Sequence, residues 1–96
     1  MKIIKNTATK IPTSNNEPIC FSDLLISCCN HVPQGGLLVS DQRIRLRIVE
    51  ACSPNDEVIT EIKLEDEDFK QAKKLVQQMP WGIRHEDIIE FADQFE

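Results

Sequence analysis

Long apolar runs are missing from this chain of 96 residues. The opening "MKIIKNTATK" has two consecutive isoleucines before a polar run, which is not the apolar stretch of a secretory leader. Nothing approaches the roughly 20 apolar residues that span a bilayer. Glycine is scarce as well, with three in the chain, two of them adjacent in "QGG". That leaves no glycine fingerprint for cradling phosphates. The glycine turn is not followed by a nucleophile, so the arrangement needed for covalent catalysis is not visible. The four cysteines (Cys20, Cys28, Cys29, Cys52) include no Cys-x2-Cys pair, and the two histidines are not at zinc-finger spacing. Cys28, Cys29, His31, Cys52 and His85 are soft enough to bind zinc, but without that spacing they read as buried thiols and ordinary histidines. The expectation is therefore a non-enzymatic cytoplasmic chain with free thiols, no metal and no cofactor.

What is present fits one small folded unit. A chain of this length closes around a single core. Sixteen acids against eleven bases give a net charge of -5, which repels a phosphate backbone and disfavours nucleic acid over most of the surface. Residues 1–19 carry Lys, Asn, Thr, Ser and two prolines without helical periodicity. They read as a flexible N-terminal arm, in which Ile3, Ile4 and Ile11 could supply a short strand, ahead of a globular domain over 20–96.

Within that domain the spacing predicts helices near 22–31, 40–52, 66–79 and 85–95 and a strand near 57–64, which could pair with the arm. The fold class is α+β and mostly helical. Ser22 or Asp23 caps the first helix, and Leu24, Leu25, Cys28 and Cys29 form its apolar face. "PQGG" supplies the turn that follows. "SDQRIRLRIVEAC" is open to two readings. As a strand it sets Arg43, Arg45 and Arg47 on one face. As a helix it uses Ser40 as N-cap and Asp41 in the first turn, and it lines one face with Ile44, Ile48, Ala51 and Cys52, with Arg43 and Arg47 opposite. The cap favours the helix. In the strand alternative, 43–50 forms a hairpin with 57–64 across "SPND".

The acids of "EDED" run into a helix start, where carboxylates offset the positive end of the dipole, and they lack the alternation around a glycine of a calcium loop. Phe69, Ala72, Val76 and Met79 mark the buried stripe of that helix, and Pro80 ends it. After "WG", a last helix presents Ile88, Ile89, Ala92 and Phe95. Two candidate surfaces follow. Trp81 and Arg84 at the inter-helix corner, with Phe91 and Phe95, could anchor a protein partner, since Trp and Arg are enriched among interface hot spots. The bland alternative has Trp81 closing the turn onto the core. The stripe Arg43, Arg45, Arg47 is the nucleic-acid candidate and would suit a small DNA-binding regulator. Against it stands pairing of these arginines with neighbouring acids.

The order "QGG", "DQRIRLRIVEA", "IKLEDEDFKQAKKLVQQMPWGIRHEDIIEF" resembles short uncharacterised proteins encoded in tailed bacteriophages and prophages, over residues 34–95. The resemblance implies a protein-binding accessory of phage type, acting in virion assembly or on a host protein. It places the chain in the host cytoplasm or on the virion, with a phage structural protein, a host protein or a second copy as partner. No residue role is carried over by it.

Overall fold

Isoleucine-containing segments near the start of the chain and between its second and third helices form, among the described residues, one long-range strand pair beside four helices. The computed structural model describes residues 1–11, 17–53, 59–82 and 84–96. Among these, β1 (Lys2–Lys5), α1 (Phe21–Asn30), α2 (Val39–Cys52), β2 (Glu61–Leu64), α3 (Asp66–Gln78) and α4 (Glu86–Asp93) follow one another. The domain is α+β and mostly helical, about 35 × 28 × 26 Å. β1 and β2 run antiparallel, Ile4 opposite Ile62 and Lys5 opposite Glu61. The period of two puts Ile4, Ile62 and Leu64 in the core and leaves Ile3, Lys5, Glu61 and Lys63 in water. The strand expected from 57 is shorter: it begins at Glu61, and residues 57 and 58 lie outside the described residues, as does the "SPND" break beyond Ser53.

Much of the expected arm packs on this framework. Ile4 and Ile11 are in the core, and Ala8 bridges Cys20. Asn6 fastens three pieces. Its backbone N–H donates to the Thr60 carbonyl at 3.0 Å, its side-chain amide donates to the Ile59 carbonyl at 2.8 Å, and its side-chain oxygen accepts the Ser22 N–H at 2.9 Å. Residues 12–16 of the arm lie outside the described residues.

The helix starts differ from the expected caps. α1 begins after Cys20, whose N–H donates to the Asp23 carboxylate at 2.9 Å, so Asp23 acts from the third helical position and Ser22 is not the cap. α2 begins after Leu38, one residue earlier than expected, and Ser40 lies inside its first turn with Asp41. The glycine turn is as expected: Gly35 and Gly36 have φ of 98° and 86°, and the Gly36 N–H donates to the Pro33 carbonyl at 3.0 Å. α3 opens on Asp66, Glu67 and Asp68. α4 is capped by His85, whose Nδ1 accepts the Asp87 N–H at 3.1 Å.

All five aromatic residues form one cluster, Phe21, Phe91 and Phe95 in the core and the partly buried Phe69 and Trp81 packed against it. Phe91 lies 5.3 Å from both Phe21 and Phe95 and 6.1 Å, edge to face, from Trp81, while Phe69 stacks on Phe95 at 5.5 Å. Rings offset or tilted at these separations attract beyond their buried area. The cluster joins the N-terminus of α1 to α3 and α4, so the last helix is held by the first.

Candidate functional site

The helix reading of residues 39–52 decides what the three arginines can do. Successive residues of a helix turn by about 100°, so Arg45 cannot share the face on which Arg43 and Arg47, four residues apart, both lie. Arg43 points to water. Arg45 is buried, and its Nη1 donates to the carbonyl of Cys29 at 3.1 Å and to that of His31, the carbonyl end of α1. Arg47 forms an ion pair with Asp68 at the start of α3, Nη2 to Oδ1 2.8 Å, with Nε 3.3 Å from both carboxylate oxygens. That hydrogen bond and the Asp68 charge raise the Arg47 pKa. The expected stripe of Arg43, Arg45 and Arg47 is thus corrected: one is solvated, one caps a helix and one clamps α2 to α3.

The aromatic corner is corrected at two of its four residues. Phe91 and Phe95 are at 0% and 1% exposure, inside the core, and offer nothing to a partner. Trp81 is half-buried and leans its edge on Phe91, which is the bland alternative. Arg84 is exposed. Ile89, expected on the buried face of α4, is instead 64% exposed, and Phe91 takes the inward place.

Met1, Ile3 and Val32 are exposed as well, and three further large apolar side chains gather at α2. Leu38 (71% exposed), Val39 (63%) and Leu46 (58%) occupy the start and the outer face of α2. Val39, Arg43, Leu46 and Glu50 recur at helical spacing along the line of α2 that points away from the domain, all exposed, while Arg45, Ile48 and Cys52 point inward. A single exposed leucine is unremarkable, but two large apolar side chains on one helix line, with Leu38 just ahead of them, make a candidate contact surface. The sequence carried this signal. Val39 and Leu46 fall seven residues apart, with Arg43 and Glu50 at the same helical phase, once the inner stripe is assigned to Ile48 and Cys52.

The thiols are inert by environment. Cys28, Cys29 and Cys52 are buried, and loss of water pushes their pKa values up to about 12, about 11 and about 12. Cys20 is partly exposed and also raised, by burial and by the charge of Asp23. A cleft of about 440 Å³ is lined by Asn6, Cys20, Asp23, Ile26, Cys52 and Ile59 among others. Its two thiols are thus both held as neutral S–H at ordinary pH. Among the described residues no group of three His, Cys, Asp or Glu side chains is placed to hold a metal ion, and no helix is long and apolar enough to cross a membrane. No family model matches this chain, and neither a curated protein nor a solved structure matches it.

Proposed function

We propose that this chain is a non-enzymatic protein-binding accessory whose contact surface is the outer face of α2, centred on Leu46 with Val39, Arg43 and Glu50. The observation that carries the reading is that three of the exposed large apolar residues, Leu38, Val39 and Leu46, gather at the start and on the outer face of one helix, whereas Met1, Ile3, Val32 and Ile89 belong to other parts of the chain. Covering them removes apolar surface from water, at roughly 25 cal/mol per Å² before the entropy of association is charged. Arg43 and Glu50 supply the polar rim that such patches use for orientation. The phage-type role, in virion assembly or on a host protein, rests on the resemblance of residues 34–95.

The test is site-specific photo-crosslinking in the host cell. A photoreactive residue replaces Leu46 in one variant and the exposed Gln77 of α3 in a control. A discrete protein adduct from position 46 and none from 77 supports the reading, and its mass and peptides identify the partner. A phage structural protein points to assembly and a host protein to takeover. No adduct from position 46, or the same adducts from both positions, refutes it.

A further inference from the structure

We infer that the occupant of the α2 face is a second copy of this chain, with the two α2 helices packed antiparallel across a two-fold axis beside Leu46. This rests on the protein-binding reading and names its partner. The argument is the order of the four outward residues: Val39, Arg43, Leu46, Glu50. Arg43 stands three residues before Leu46 and Glu50 four residues after it. Two copies laid antiparallel about this leucine therefore set Arg43 of one against Glu50 of the partner subunit, and the same pair forms again on the other side of the axis. A two-fold contact must be self-complementary, because each residue that meets another is met by it in turn. A line reading apolar, positive, apolar, negative satisfies this condition with antiparallel helices. In a parallel pair the like charges would meet.

The neighbours of the line are consistent with this geometry. Arg47, next to Leu46 and therefore near the axis, would bring two positive charges together if it were free. It is drawn aside to Asp68, whose carboxylate offsets its charge at 2.8 Å. Arg45 is turned inward to the end of α1. Val39 lies about 10 Å along the helix from Leu46 at 1.5 Å per residue. It would therefore pack near the C-terminal end of the partner's α2, and Leu38 beyond it. The buried patch is small, so the dimer is expected to be concentration-dependent and not obligate.

Sedimentation velocity over a concentration series tests this, on the full chain and on variants at exposed positions. The native chain is expected to self-associate, and Leu46→Glu to remain monomeric. Arg43→Glu and Glu50→Arg should each weaken the dimer by about tenfold or more, since each sets two pairs of like charges in contact. The double variant should regain the native constant to within about threefold. An equimolar mixture of the two single variants should form a heterodimer, because one copy then presents two acids and the other two arginines. Unchanged far-UV circular dichroism and thermal midpoints show that each variant is folded. A native chain that stays monomeric at its highest soluble concentration overturns the second copy. So does a dimer that the charge reversals leave unchanged. A monomer that still gives a Leu46 adduct to a different protein removes only this inference and keeps the protein-binding reading. A monomer with no adduct removes both.

Discussion

Replacing Arg45 by Met tests whether a buried cation holds α1 and α2 together. Its guanidinium is almost wholly buried and donates to two carbonyls at the end of α1, a helix with no basic residue in its last turn. Each hydrogen bond from a charged donor contributes roughly 1.5–3 kcal/mol, and the negative end of the helix dipole adds about 0.3–1 kcal/mol. Against these stands the loss of hydration, including an Nε that is buried without an acceptor, which costs about 1–3 kcal/mol. Met keeps most of the apolar stem and removes the donors, so the Cys29 carbonyl is left buried and unpaired. The balance favours the native arginine, with a loss of about 2–3 kcal/mol expected for Arg45→Met. Arg45→Lys should lose less, about 1–2 kcal/mol, since an ammonium can reach one of the carbonyls. Urea unfolding followed by the fluorescence of Trp81, the only tryptophan in the chain, gives both values. An Arg45→Met variant within about 0.5 kcal/mol of the native chain, or more stable than it, would refute the reasoning by showing that desolvation outweighs the hydrogen bonds.

Phe91→Ala should cost about 3–5 kcal/mol in the same unfolding assay, because the ring is fully buried and touches three other aromatics. Trp81→Ala, at a half-buried ring, should cost about 1–3 kcal/mol and leave the Leu46 adduct intact; loss of the adduct in a folded variant would return Trp81 to the interface. Asn6→Ala should cost about 1–3 kcal/mol, since it leaves the Ile59 carbonyl and the Ser22 N–H without a partner, and hydrogen exchange should show β1 and the start of α1 opening together. In a colorimetric thiol assay at neutral pH, Cys20 should react before Cys28, Cys29 and Cys52, which should react only as the chain unfolds; uniform reaction of all four would count against the burial. The folded thiols ionise near 11 to 12 while unfolded ones ionise near 9.0, so between these values the unfolded chain binds fewer protons. Their stabilisation is complete below about pH 9 and is lost as pH rises towards 12, which unfolding midpoints measured across that range will show.

The sequence by itself determined the helices, because their apolar residues recur at helical spacing and their ends carry local chemistry: acids before Phe69, Pro80 after Met79, and two glycines after Pro33. It also determined that Leu24, Leu25, Cys28 and Cys29 face inward, since they form one apolar stripe at helical spacing. The choice between strand and helix at 43–50 was not settled by the local pattern, because alternating arginine and apolar residues satisfy both periods, and the Ser40 cap that favoured the helix is not the one the fold uses. Only the tertiary structure decided which arginine is free. Arg43, Arg45 and Arg47 are alike in sequence, and their roles depend on the carbonyl end of α1 and on Asp68 lying within reach. The pairing of β1 with β2 and the bonds from Asn6 to Ile59 and Thr60 join residues more than fifty positions apart, which no local propensity records. The placement of Phe91 inside and Ile89 outside was decided in the same way, by where Phe21 and Phe95 stand. A side chain's periodicity fixes its direction on its own helix, but what waits in that direction is set by the packing of the other helices.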